Sequence, residues 1–344
     1  MAQALAPARV TAPTTVLGPA ACAPRSLERL AASVLLVGLP NVLVADDPLV
    51  DDLVELGVGG VLLNGTNVVS EDQVRDLVSG LAERFDGHLT IALDEEGGRV
   101  SPLSEIGLGG SSARRLARRD EDDVEAAGRE AGAVAADLGV TLLLGPVADL
   151  DDGPFDGIIG DRSFGADPEQ VGEAARRYAE GVGQAGVDTA VKHWPGYAEA
   201  PDTHLGGGTA AVDHDELVER HVAAFLPLLD DGVPAVMVSH VVYPSLGPLP
   251  ASLNPASYRL LRATGYEGPA LTDALGMGAI HTRWGFDRSA AMAVAAGADV
   301  ALSNQGEEAD LLRDGIVTAV RSGSLSERRL RQAAERAATL RPGC

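Results

Sequence analysis

The sequence predicts an α/β protein folded as one (β/α)8 barrel. Three observations predict it. Eight short apolar runs recur along the 344 residues. Most are apolar throughout rather than alternating, as strands covered on both faces of a parallel sheet should be. Amphipathic or Ala-rich segments with helix start and stop signals separate them. An open doubly wound sheet is the alternative arrangement of the same units.

The candidate strands are Val34–Leu39, Gly60–Asn64, Thr90–Asp94, Thr141–Pro146, Thr189–His193, Ala235–His240, Ala270–Asp273 and Val300–Ser303. Between them, Ser70-Glu71-Asp72-Gln73 is a capping box that opens a helix to about Phe85. A helix over Glu121–Leu138 stops at Gly139, and one over Asp167–Ala185 opens on Asp-Pro and stops at Gly186. Asp213–Leu229 and Asn254–Ala263 follow the same grammar. Two closing helices span about Glu307–Arg321 and Ser326–Leu340. No linker divides this body, so residues 26–344 read as a single barrel domain.

Composition narrows the function classes. The hydrophobic content is 45%, enough for a large core, and the formal charge is −23. That charge argues against nucleic acid or an anionic membrane surface as partner. No apolar run approaches the ~20 residues of a membrane helix. Residues 1–25 are Ala/Pro/Thr-rich and lack a basic start followed by an apolar core. They read as a disordered spacer, such as removal of a signal would leave, and not as an intact signal peptide. The two cysteines, Cys22 and Cys344, flank the body. They are either unrelated thiols or a disulfide joining the chain ends, which would imply an oxidising compartment. Their spacing offers no structural zinc site.

Polar residues gather at the strand ends. Asp94 ends the third strand, Asp149 follows the fourth, Lys192 and His193 end the fifth, Ser239 and His240 the sixth, and Asp273 the seventh. In a barrel those ends converge on one mouth. Charges there cost desolvation unless something uses them. The fifth strand then runs into a Gly/Pro/Asp-rich loop, Lys192-His193-Trp194-Pro195-Gly196-Tyr197-Ala198-Glu199-Ala200-Pro201-Asp202-Thr203-His204. Loops held by a rigid scaffold commonly carry the chemistry.

Four blocks give the chain a family resemblance. They are Asp94-Glu95-Glu96-Gly97-Gly98-Arg99-Val100; Gly160-Asp161-Arg162-Ser163-Phe164-Gly165 after Pro146-Val147-Ala148-Asp149-Leu150; Lys192-His193-Trp194-Pro195-Gly196 with Asp202-Thr203-His204; and Thr272-Asp273-Ala274-Leu275. In this order they resemble the single-domain, peptidoglycan-processing β-N-acetylglucosaminidases of glycoside hydrolase family 3. The resemblance runs from about Ser26 to the C-terminus. It implies Asp273 as nucleophile, His204 as acid/base, Asp202 as the carboxylate orienting His204, and Asp94, Arg162, Lys192 and His193 as sugar ligands. It implies no metal and no organic cofactor, a carbohydrate as the partner, and a monomer. Some exported members carry cysteines at both chain ends. A Cys22–Cys344 disulfide and an extracytoplasmic location are therefore expected, with the cytoplasm as the alternative.

The chemistry is coherent. Retention needs a nucleophile on one face of the sugar and a proton donor at the leaving oxygen. An imidazole can serve as acid and then as base near neutral pH, and a neighbouring carboxylate fixes its tautomer. The chain departs from the family pattern in four places. Tyr197 stands where the family has His, the loop to His204 is about a residue shorter, Ser101-Pro102 replaces a second Arg, and Ala274 replaces the second Asp of a pair. A phosphorylase and a β-glucosidase are the enzymatic rivals. A non-catalytic sugar-binding barrel is the rival from another class. For single residues the plain alternatives are a turn cap at Asp202, an ordinary loop His at His204, and backbone-bonded carboxylates at Asp94 and Asp273. Glu96 and Arg99 are expected to pair across the Gly97-Gly98 turn. Trp194 is expected to pack the loop, and His240 either lines the pocket or lies satisfied beneath it.

Overall fold

All eight strands form, seven with both ends within two residues of the expected place and β4 ending three residues early: β1 (Leu35–Gly38), β2 (Gly60–Leu63), β3 (Thr90–Leu93), β4 (Leu142–Leu143), β5 (Asp188–Trp194), β6 (Ala235–Val238), β7 (Ala270–Thr272) and β8 (Ala301–Ser303). This computed structural model describes residues 22–344; most of the expected 1–25 spacer lies outside the described residues. Every ladder is parallel, in the order β7-β6-β5-β4-β3-β2-β1-β8. A bridge between Leu271 and Val300 joins the two ends of that order and closes the barrel. The Thr272 N–H donates to the Val300 carbonyl at 3.0 Å across the same seam.

The strands read as continuous apolar runs because each has two buried faces. Leu36, Leu62, Ala92, Leu142, Ala190, Ala235, Met237, Leu271 and Leu302 fill the barrel interior. Their neighbours Leu35, Val37, Val61, Leu63, Ile91, Leu93, Val191, Val236 and Val238 face the surrounding helices. The Leu and Met side chains, with Ala92, Ala190 and Ala235, make this interior a packed core rather than a pore. Most strands stop one or two residues short of the expected end. The polar residues Asn64, Asp94 and Asp273 follow the last ladder residues and line the mouth.

The helices are α1 (Leu27–Ala32), α2 (Pro48–Leu56), α3 (Glu71–Arg84), α4 (Ala113–Leu116), α5 (Glu121–Asp137), α6 (Pro168–Gln184), α7 (residues 214–230), α8 (Pro255–Ala263), α9 (Gly278–Ala296), α10 (Ala309–Ser322) and α11 (Glu327–Ala338). Ser70 caps α3, accepting the Gln73 N–H at 3.2 Å. In return, Gln73 Oε1 accepts the Val69 N–H rather than the Ser70 N–H, so the expected capping box is shifted by one residue. Segment α7 is not one regular helix. It passes through π and 3-10 turns before Leu226–Asp230, because Pro227 offers no N–H to the preceding turn. Helix α9 had no sequence signal. Its N-cap, Met277, provides no side-chain cap, and Gly285 breaks its periodicity with φ 69°.

Cys22 and Cys344 form a disulfide with Cα atoms 6.0 Å apart. It lies at the N-terminal ends of the strands. There His88 Nδ1 is 3.0 Å from the Pro342 carbonyl, and Thr90 Oγ1 donates to the Leu340 carbonyl. The bond therefore pins the chain ends at the face opposite the mouth.

Candidate active site

The loops at the C-terminal strand ends enclose a cleft of about 560 Å³. Asp94, Arg162, Lys192, His193, Asp202, His204 and Asp273 all line it. Asp94 follows β3, Lys192 and His193 belong to β5, and Asp273 follows β7. Arg162 comes from a 3-10 turn at Gly160–Arg162 in the long β4–α6 connection. Asp202 and His204 sit on the loop after β5.

The floor is a chain of alternating charge. The Lys192 ammonium lies 2.6 Å from Asp94 Oδ1 and 2.5 Å from Glu96 Oε1. Arg162 grips Glu96 with two bonds, Nε to Oε2 at 2.7 Å and Nη2 to Oε1 at 2.8 Å. Burial alone would push the Lys192 ammonium down, but Asp94 and Glu96 outweigh it and hold it above its ordinary value. Burial would likewise raise the Glu96 carboxyl, yet Lys192 and Arg162 hold it well below the usual carboxylate range. The Asp94 side chain is 39% exposed and faces the cleft, while Lys192 and Glu96 are 3% and 4% exposed beneath it.

Glu96 and Arg99 do not pair. Glu96 turns inward to the two cations, while Arg99 reaches Asp161 at 3.3 Å and donates to the carbonyls of Phe155, Ile158 and Ile159. The sequence separation of three suggested a turn brace, but the Gly97-Gly98 turn, with φ of 77° and 62°, sends the two side chains apart.

His193 is held from both sides. Its Nδ1 is 2.6 Å from Asp149 Oδ2, and its Nε2 is 3.3 Å from Arg162 Nη2. In that arrangement Nδ1 carries the proton given to Asp149 and Nε2 accepts from the guanidinium. Asp149 Oδ1 also accepts the Tyr197 N–H at 2.8 Å.

Asp149 and Ser239, expected at the mouth, lie one layer deeper, and so does His240, for which either place was open; each is 0% exposed. Asp149 acts through His193. Ser239 lies 3.4 Å from the Tyr243 hydroxyl. His240 is satisfied beneath the cleft, between Ser252 Oγ at 2.7 Å and the Ala274 carbonyl at 2.9 Å. Trp194 packs in the core and donates to the Ser257 carbonyl.

Asp273 Oδ1 accepts the Ala274 N–H at 2.7 Å. Its Oδ2 has no hydrogen-bond partner among the described residues and opens to the cleft. Burial pushes this carboxyl up, but His240, His193, the Ala274 N–H and Lys192 outweigh it and hold it below its ordinary value. The group is thus an ionised carboxylate with one free oxygen, which is what a nucleophile requires. Asp202 Oδ1 lies 2.6 Å from His204 Nδ1. The His204 side chain is 64% exposed, and its Nε2 has no partner among the described residues.

Asn64 and Asn304, from the ends of β2 and β8, also line the cleft. The strand-end rule that picked out Asp94 would have found both. Among the described residues, no group of three or more His, Cys, Asp or Glu side chains is arranged to hold a metal ion.

Residues 37–340 match the pattern of the glycosyl hydrolase family 3 N terminal domain. Over 304 residues the chain is 38% identical to the β-hexosaminidase LpqI of Mycobacterium tuberculosis (strain ATCC 25618 / H37Rv), covering 83% of this chain and 77% of that protein. The solved structure of M. tuberculosis LpqI superposes with a TM-score of 0.86 at 37% identity, covering 96% of this chain and 98% of that one. A family 3 β-N-acetylglucosaminidase from Paenibacillus sp. str. FPU-7 gives a TM-score of 0.86 at 31% identity; the match covers 92% of this chain and 62% of that longer one.

Proposed function

The chain belongs to glycoside hydrolase family 3 as an enzyme of the β-hexosaminidase kind, and from that premise we propose that it is a retaining exo-β-N-acetylglucosaminidase that removes terminal β-linked GlcNAc from peptidoglycan fragments. One observation carries the reading: a carboxylate with a free oxygen, Asp273, and an imidazole backed by a carboxylate, His204 with Asp202, line the same cleft.

In the first step Asp273 Oδ2 attacks the anomeric carbon. The bond to the leaving oxygen breaks, and His204 Nε2 delivers the proton that oxygen takes. Asp202 keeps Nδ1 of His204 engaged and balances the charge of the imidazolium. In the second step His204 removes a proton from water. The water oxygen bonds to the anomeric carbon, and Asp273 departs as a carboxylate. Asp94, Lys192, Arg162 and His193 hold the sugar hydroxyls. The rigid Asp94–Lys192–Glu96–Arg162 chain presents these groups without reorganisation during reaction.

The Cys22–Cys344 disulfide supports an extracytoplasmic site of action, since such bonds persist in oxidising compartments. The peptidoglycan assignment rests on the four sequence blocks and their order.

Turnover of p-nitrophenyl β-N-acetylglucosaminide and p-nitrophenyl β-glucoside, each with and without phosphate, tests the reading. The expected result is free GlcNAc at a rate independent of phosphate, with the glucoside much slower. A sugar 1-phosphate as the main product, or equal rates on both glycosides, would overturn it.

A further inference from the structure

Thr203 stands between Asp202 and His204, and two groups grip its backbone and side chain while a third holds the carbonyl of His204. Its N–H donates to the Tyr197 hydroxyl at 3.2 Å, and its Oγ1 lies 3.1 Å from the same oxygen. Its carbonyl accepts the Ala279 N–H at 3.1 Å, and the next carbonyl, of His204, accepts the Gly278 N–H at 2.8 Å. These are the first amides of α9, the helix that follows Asp273 and whose N-cap residue provides no side chain. Tyr197 is 4% exposed, and its own N–H is bonded to Asp149, the carboxylate behind His193. The connecting residues Ala198 and Glu199 have φ of 50° and 52°. Side chains rarely adopt that left-handed backbone unless the surroundings hold it.

We infer that Tyr197 is a positioning residue: together with the first amides of α9 it clamps Thr203, and the clamp fixes where His204 presents Nε2 to the leaving oxygen. This rests on His204 being the acid/base. The clamp spans the two loops that bear the chemistry, because one side of it is the Asp149–His193 unit and the other is the helix that follows Asp273. Tyr197 supplies the fastening through its phenol oxygen. Gly278 belongs to the same device. A Cβ there would sit 2.6 Å from the Leu205 carbonyl and 2.8 Å from the His204 carbonyl oxygen, and both are backbone atoms that cannot swing aside.

The test is kcat and KM on aryl β-N-acetylglucosaminides of graded leaving-group acidity, for wild type, Tyr197→Phe, Gly278→Ala, His204→Ala and Gly206→Ala. Tyr197→Phe removes one oxygen and leaves the fold intact, so it decides the matter even if Gly278→Ala does not fold. A Cβ on Gly206, in the same loop, meets nothing within 4 Å, which makes it the control. The expected result is a loss in Tyr197→Phe and Gly278→Ala that grows as the leaving group worsens and falls on kcat. Tyr197→Phe should lose about tenfold on the poorest leaving group, the scale of one lost buried hydrogen bond. Gly206→Ala should track wild type. If His204→Ala shows that leaving-group dependence and Tyr197→Phe shows equal losses or none, the clamp is wrong. If His204→Ala itself loses equally across the series, the acid/base reading fails and the clamp falls with it.

Discussion

Asp202 binds His204 twice through one oxygen: Oδ1 accepts the His204 backbone N–H at 2.9 Å and lies 2.6 Å from its Nδ1. The backbone bond, with the side-chain bond beside it, holds the Asp202 carboxyl below its ordinary value, so it stays charged across the working range. An exposed carboxylate–imidazole contact of this kind adds little stability, so its value lies in orienting the ring.

Replacing Asp202 by Asn keeps an oxygen for the backbone N–H but removes the charge opposite the ring. Asp202→Asn should lower kcat by one to several orders of magnitude with Tm unchanged, as loss of a dyad carboxylate does elsewhere (~10⁴ at the extreme). Its pH–rate profile should differ from that of wild type. An identical profile would refute the dyad.

Glu96 tests the floor of the cleft. It is the only carboxylate held by both Lys192 and Arg162 among the described residues. Glu96→Gln leaves two buried cations facing one partly exposed Asp94. Removing one partner of a buried charge cluster costs roughly 3 kcal/mol or more. Denaturant unfolding should show that loss, and KM should rise because Lys192 and Arg162 are no longer fixed. Unchanged stability would mean that solvent already screens the cluster.

Asp188 makes stability depend on pH. It begins β5 beside a surface groove of about 430 Å³, and its carboxyl has no hydrogen-bond partner among the described residues. Burial raises its pKa from 3.8 to about 6. The folded state therefore favours the protonated acid. Stability is lost as pH rises from the unfolded value near 3.8 through the folded value near 6, and the loss is complete above that. Asp188→Asn should stabilise the protein at pH 8 by about 1 kcal/mol, allowing for its partial exposure, and by nothing below pH ~3.5. Unfolding curves at the two pH values check the sign; destabilisation at pH 8 would contradict it.

The Cys22–Cys344 bond closes nearly the whole chain, with a sequence separation of 322. Chain entropy gives an upper bound of about 6 kcal/mol for such a loop. Cys22→Ser should lower Tm and leave kcat/KM unchanged, since the bond lies at the face opposite the cleft. Two free thiols in unfolded, non-reduced wild type prepared under oxidising conditions would contradict the pairing.

Much of this was legible in the sequence for one reason. Strands buried on both faces announce themselves as unbroken apolar runs, and polar residues at their ends stand out against that background. Asp94, Lys192 and Asp273 were found in this way, and Asn64 and Asn304 answer to the same signal. What was not legible depends on tertiary partners. Helix α9 has no cap in its own sequence because the carbonyls of Thr203 and His204 cap it from another loop. Glu96 looked like a turn brace because its partners, Arg162 and Lys192, are 66 and 96 positions away. Ser239 and His240 follow β6 as Asp94 follows β3, yet bonds to Tyr243, Ser252 and the Ala274 carbonyl keep them under the cleft floor.

The central claim is that Asp273 forms a glycosyl-enzyme, and covalent trapping tests it most directly. A 5-fluoro-β-N-acetylglucosaminyl fluoride slows breakdown of the intermediate relative to its formation, so the adduct accumulates on the nucleophile. Peptide mass spectrometry should then find one sugar on Asp273 in wild type and none in Asp273→Ala, whose turnover should fall below ~1% of wild type because the covalent route is lost. An adduct on Asp94 or another carboxylate, or an unlabelled enzyme that still turns over with inversion at the anomeric carbon, would contradict the account.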